Sequence, residues 1–190
     1  SALYSNTTGY GNSAQGYQAL YSNTTGYLNS AQGYQALYLN NTGYQNSAQG
    51  ASALRSNTTG YSNSAQGVQA LFSNTTGIGN SAVGYYTGLG LDNINPDERS
   101  VIDNYSTFVG YNAGRDGAVA STTVLTGASA LGYNARVGAN YSMALGGLGS
   151  YAVRVGIASS TPAARLSLEQ GSATTIGQYI AGYANATSDL

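Results

Sequence analysis

Apolar and polar positions along this chain recur in one fixed phrase. Leu3, Leu20, Leu37, Leu54 and Leu71 each follow an Ala, and each lies seventeen residues beyond the last. Gly keeps the same step at Gly9, Gly26, Gly43, Gly60 and Gly77, and again at Gly16, Gly33, Gly50, Gly67 and Gly84. Asn does so twice, at Asn6, Asn23, Asn40, Asn57 and Asn74 and at Asn12, Asn29, Asn46, Asn63 and Asn80. Five copies without insertion or deletion mark a repeat architecture. The unit is too short for a helix pair or a propeller blade, and its frequent Gly disfavours helix. Two strands of about five residues joined by two tight turns fill it, which makes one coil of a β-solenoid. "QALYS" and "NSAQG" are the strand candidates. "NTTG" and the Gly of "SAQG" are the corners, where Asn and Gly tolerate left-handed backbone.

Coils of a solenoid stack about 4.8 Å apart, so equivalent positions form columns along the axis. Comparing copies then sorts inside from outside. The Ala-Leu pair, both Asn columns, Ser13 and its equivalents, and Ala14, Ala31, Ala48, Ala65 and Ala82 do not vary, and we assign them to the interior and the turns. The column Tyr4, Tyr21, Tyr38, Arg55, Phe72 varies and is expected outside, as is Gly11, Leu28, Gln45, Ser62, Gly79. Asn side chains in register can hydrogen-bond along a stack. An interior of Ala and one Leu per coil buries little against the ordering cost of seventeen residues. Association of several solenoids through their Ala/Leu faces is the expected remedy.

Composition narrows the picture. Charged residues make up 7% of the 190 and the net charge is -1, which leaves no basic field for nucleic acid. Leu, Ile, Val and Phe total 33 residues, fewer than a large-side-chain core requires. Disorder is the usual reading of that shortage, but 18 Tyr and a near-zero net charge point to backbone-dominated β structure. No stretch approaches the length of a membrane span, so no membrane contact is expected of this segment. The repeat is already under way at the first residues, so a longer parent protein is expected.

Beyond Tyr85 the pattern changes. Residues 1–86 form the seventeen-residue array, and 87–105, containing "LGLDNINPDERS", is read as a loop or insertion. Asp92, Asn95, Asp97 and Glu98 do not match a calcium-loop spacing and are read as a solvated turn. The coil style resumes over 106–156, where Ala130-Leu131-Gly132 returns as Ala144-Leu145-Gly146, a period of fourteen, around "ARVG" at Ala135–Gly138.

This A-L-G-x-x-A-x-V-G-x-x-S-x-A-L-G pattern resembles the head repeat of YadA-like trimeric autotransporter adhesins. The "NTTGYxNSAQGYQAL" units resemble the longer repeats of head-like segments in bacterial surface proteins and phage tail fibres. "VGIASSTPAARLSL" (Val155–Leu168) resembles the strand that follows such heads, with Ala158 in place of the usual Gly, and opens a transition segment over 157–190. The resemblance implies an all-β, left-handed parallel β-roll, three chains packed together, in a stiff extracellular fibre on a bacterial surface or virion. Handedness and the number three come only from the resemblance. Such heads bind host matrix proteins through motifs of the form N-S-x-A-x-G. "NSAVG" at Asn80–Gly84 lacks one residue of that spacing, so collagen binding is not carried over.

Chemistry is constrained by what is missing. Without His or Cys, Ser-His-Asp and Cys-His catalysis and ordinary zinc sites are excluded, and no cofactor or metal is expected. Asp103 and Asp116 are read as unconnected surface charges. The glycosylation sequons at Asn6, Asn23, Asn40, Asn57 and Asn74 arise from the repeat itself. Tyr remains: Tyr10, Tyr27, Tyr44 and Tyr61, then Ile78, form a candidate aromatic stripe beside Tyr17 and Tyr34. It would meet a host or cell-surface protein or a glycan, or else cover the roll and pack between chains. A non-catalytic fibre segment that assembles with itself is the leading expectation. An ice-binding solenoid, prompted by Thr8, Thr25, Thr42, Thr59 and Thr76, and a glycan-binding one are the alternatives.

Overall fold

In the computed structural model, residues 1–88, 103–116 and 123–146 are described. The segment 157–190, the acids between Asp92 and Glu98 and most of the 87–105 insertion lie outside them. The described residues form strands and turns with no helix. One strand per coil builds a single parallel sheet: β1 (Ser13–Gln15), β2 (Ser30–Gln32), β3 (Ser47–Gln49), β4 (Ser64–Gln66), β5 (Ser81–Val83) and β6 (Thr107–Val109). It continues through β8 (Ser129–Leu131) and β10 (Met143–Leu145). β7 (Gly114–Arg115) and β9 (Arg136–Val137) make a second, two-stranded parallel ladder. This is the architecture of a β-solenoid.

The pairing register explains why repeat length can change. Ser13 pairs with Ser30, Ser30 with Ser47, Ser47 with Ser64 and Ser64 with Ser81, each one copy apart. The next partners are Thr107, Ser129 and Met143, at steps of 26, 22 and 14 residues. The sheet therefore runs unbroken from the seventeen-residue array into the fourteen-residue one.

The strands are shorter than the alternation predicts. Only "SAQ" is extended; "QALYS" is a run of turns in which Gln18, Leu20 and their equivalents take left-handed φ of 51–57°. The backbone is satisfied without a second long strand because turns also bond between coils: Leu20 N–H donates to the Ala36 carbonyl at 3.0 Å, and Gln35 N–H to the Tyr17 carbonyl at 2.8 Å. A two-strand coil appears only further along, where β7 and β9 pair.

The interior corrects two expectations. Ala19, Leu20, Ala31 and their equivalents in the later seventeen-residue copies have at most 2% exposure within one chain, while Ala2, Leu3 and Ala14 of the first coil are partly buried. From the second coil on, the Ala/Leu faces are therefore consumed inside the coil and cannot press against other copies. The Asn columns lie in the interior and bond along the stack as expected, and only their role as corners is corrected: Asn23, Asn29, Asn40, Asn46, Asn57, Asn63, Asn74 and Asn80 are all buried. Asn46 Nδ2 donates to Asn29 Oδ1 (3.1 Å) and to the Gly60 carbonyl (2.8 Å), and its Oδ1 accepts from the backbone N–H and Nδ2 of Asn63 (3.1 Å each). In the other column Asn40 Nδ2 donates to Asn23 Oδ1 (2.8 Å) and the Gly43 carbonyl (3.0 Å). Only a primary amide of this length supplies donor and acceptor to both neighbours at once. The amides of these two columns are thus satisfied, which is the condition for their stabilising the core. Ser13 and its equivalents, although invariant, are exposed.

Glycine serves two purposes. Gly43 has no left-handed φ; a Cβ there would strike Asn40 Oδ1 and the Gly60 carbonyl and come within 2.7 Å of Asn57 Nδ2. The column Gly11, Leu28, Gln45, Ser62, Gly79 is left-handed throughout, with φ of 56–65°, yet admits Leu, Gln and Ser: a Cβ at Gly11 or Gly79 would crowd only the Leu28 or Tyr105 side chain and not the backbone of the next coil.

Gly43→Ala is expected to lower the thermal midpoint followed by circular dichroism by the equivalent of about 3 kcal/mol or more. Ser62→Gly, which relieves left-handed strain but loosens the unfolded chain, should leave it within about 1 kcal/mol of the wild type. Asn46→Asp removes both amide donors and buries a charge, and at neutral pH it should cost more than Asn46→Ala, by about 2 kcal/mol. That gap should close below pH 4, where the carboxyl is protonated and regains a donor.

Candidate binding surface

Three aromatic columns run along the outside of the coils. Tyr10, Tyr27, Tyr44 and Tyr61, the predicted stripe, do stack: successive ring centroids lie 5.1, 4.8 and 4.6 Å apart with planes within 8° of parallel. Tyr17 and Tyr34 stack at 5.5 Å. That column passes through Ala51 and Val68 to Tyr85, Tyr111 and Tyr133, whose rings stack at 5.4 and 5.2 Å. The rings repeat at nearly the strand spacing because each is anchored to one coil.

The third column was expected to be simply exposed. Tyr4, Tyr21 and Tyr38 instead stack at 5.1 and 5.4 Å. The Arg55 guanidinium then sits 5.4 Å from the Tyr38 and Phe72 ring centroids, a cation sandwiched between aromatic faces, with its Nε donating to Gln35 Oε1. Phe72 is buried. The column does lie on the outside, with Tyr4 68% exposed and Tyr21, Tyr38 and Arg55 half-buried; the aromatic character of four of its five residues was the signal for the stacking.

Stacking decides what these columns can do. A ring such as Tyr27 has one face covered by Tyr10 and the other by Tyr44, so it offers edges and a hydroxyl rather than a flat face. Sugar rings that bind by lying on an aromatic face would find one only at a column's end. Hydrogen bonding to a row of hydroxyls is compatible with the geometry. Within the stripe, the Tyr44 hydroxyl is pushed above its ordinary pKa, first by burial and then by the Tyr61 and Tyr27 phenols.

Polar columns accompany the rings. Gln32, Gln49 and Gln66 each donate to the Gln one coil earlier, beginning with Gln15, at 3.1–3.2 Å on the exposed strand face. The Thr8, Thr25, Thr42, Thr59 and Thr76 column is exposed and in register, but it is a single rank on a turn. The repeat sequons are closed to modification in the folded chain at Asn23, Asn40, Asn57 and Asn74, which are fully buried.

Asp103 is not a surface charge. It and Arg115 are buried, with Arg115 Nη1 donating to Asp103 Oδ1 at 3.1 Å. The same oxygen accepts the Leu125 N–H at 3.0 Å, while Arg115 Nη2 donates to the Thr123 carbonyl at 2.8 Å. Twelve residues separate the pair, and nothing in the repeat phase announced it. Burial raises the Asp103 carboxyl above its ordinary value, and Arg115 and the Leu125 N–H offset this only in part. Among the described residues no cluster of three or more metal-ligating acids is present. Comparison with protein-family models, curated proteins and solved structures returns no match.

A carboxyl with a raised folded-state pKa favours folding most when protonated. Its contribution is complete below the ordinary carboxylate value of about 3.9 and is lost as pH rises through the raised value. Thermal midpoints measured across that acid window should carry this slope in the wild type and lose it in Asp103→Asn. The same variant strips Arg115 of its counter-charge and should cost about 3 kcal/mol at neutral pH.

Proposed function

We propose that this chain is a stiff, non-catalytic segment of an extracellular fibre, carried on a bacterial surface or a virion, that holds repeated side-chain columns at fixed spacing. The observation that supports this most is the single sheet from β1 to β10, which keeps strand register through four different coil lengths. Such a stack transmits geometry along its axis, which suits a spacer or head better than a pocket enzyme. In this reading three chains run side by side as left-handed β-rolls, as the likeness to YadA-like heads implies. The partner is a host or cell-surface protein or glycan that hydrogen-bonds to the exposed hydroxyl and amide columns.

Sedimentation equilibrium is expected to give three times the 19.3 kDa chain mass. Glycan and matrix-protein arrays should report binding that weakens in a Tyr27→Phe, Tyr44→Phe, Tyr61→Phe variant, which keeps the stacks and removes the hydroxyls. A monomer at all concentrations, or turnover of any polysaccharide on the array, would sink the proposal. The exposed Thr column gives the ice-binding alternative its one support, and thermal hysteresis above a buffer control would favour it.

A further inference from the structure

One coil of the array departs from the repeat at a single place on its surface. Two earlier coils read Tyr17-Gln18 with Tyr21 and Tyr34-Gln35 with Tyr38, whereas the next reads Ala51-Ser52 with Arg55. Its strand, its Asn residues and its interior Ala and Leu are those of its neighbours. Two bulky side chains are lost and a charge is gained together. Arg55 is the one charged side chain in residues 1–91, so the other coils of the array are built without any.

The three changes meet in space. Tyr34 stacks on Tyr17 through one face, and on the other side its column continues as Ala51, whose methyl group cannot cover a ring. Tyr34 keeps 52% exposure. Ser52 follows Ala51 on the same level, its N–H bonded to the Tyr34 carbonyl at 2.7 Å. Arg55 reaches toward the same spot: its Nε donates to Oε1 of Gln35, the residue next to Tyr34, at 3.1 Å. A Gln at position 52 would make that bond without a charge, as Gln35 does to Gln18 at 2.8 Å. Continuing the ladder therefore does not account for an arginine. Its guanidinium carbon lies 5.4 Å from the Tyr38 and Phe72 ring centroids, so rings hold the planar head from both sides.

These are the parts of a sugar site. Rings in this column stack at 5.2–5.5 Å, so the level of Ala51 leaves room one ring thick. A pyranose lying there sets its C–H face against the electron-rich face of Tyr34. A guanidinium fork matches a carboxylate, and one already fixed in orientation loses little freedom on pairing. The Ser52 hydroxyl can donate or accept beside it. A neutral sugar would leave the cation unused, and a simple carboxylate would leave the ring unused.

We infer that this shallow notch binds a pyranose bearing a carboxylate, a hexuronic acid, which fills the gap in the tyrosine column and pairs with Arg55. This rests on the glycan side of the reading above and places it at a site apart from the hydroxyl columns. The test uses the whole chain and ligand-observed NMR with methyl glucuronide and methyl glucoside as probes. The wild type should bind the glucuronide roughly tenfold or more tighter than the glucoside. Ala51→Tyr, Ser52→Gln and Arg55→Tyr together restore the residues of the neighbouring coils, so β circular dichroism should be unchanged while glucuronide binding is lost. Arg55→Tyr alone should erase the preference for the acid, and Tyr34→Phe, which keeps the ring face, should leave it nearly unchanged. If the triple variant binds the glucuronide as well as the wild type, or the wild type binds both probes equally, the notch is not the site and only this inference fails. If neither probe binds and the glycan arrays are also blank, the inference and the glycan side of the proposed function fail together.

Discussion

Everything in this molecule follows from how closely one coil lies on the next. At the Gly9-type column the backbones approach until a methyl group cannot enter, and at that level each Asn amide reaches its counterpart in the adjacent coil. Spacing and amide bonding fix each other. A wider pitch would stretch the amide bonds, and a residue larger than Gly would force a wider pitch. With so little aliphatic volume per coil, this mutual constraint takes the place of a conventional hydrophobic core.

The outside inherits that pitch. Tyrosines set one per coil must stack, glutamines must bond to each other, and an arginine in an aromatic column must sit between rings. These contacts stiffen the surface, and they also use up the ring faces. The columns are thus better suited to presenting repeated edges and hydroxyls than to gripping a flat ligand.

Much of this was legible in the sequence, for a physical reason. A repeat without insertions turns one chain into its own alignment, so the interior Ala, Leu and Asn columns stood out by their constancy. Constancy misled at Ser13, because an exposed residue in a stacked column is also held by its neighbours. The kinds of Gly differ in what limits them: the left-handed column at Gly11 tolerates Leu28, Gln45 and Ser62, whereas the two columns that never change, at Gly9 and Gly16, are limited by space against the next coil's backbone. The turn character of "QALYS" was hidden because left-handed Gln and Leu carry no sequence mark. The Asp103–Arg115 pair was hidden because it lies where coil length changes and column arithmetic from the repeat no longer applies.

The changing coil length has a consequence of its own. Steps of 17, 26, 22 and 14 residues all return the chain to the same strand position one level up. The number of residues per level is therefore free while the strand pairing is fixed, much as storeys of equal height can differ in floor plan. A lineage building on this plan can lengthen or trim the chain between one strand and the next, one storey at a time, without disturbing the pairing above or below.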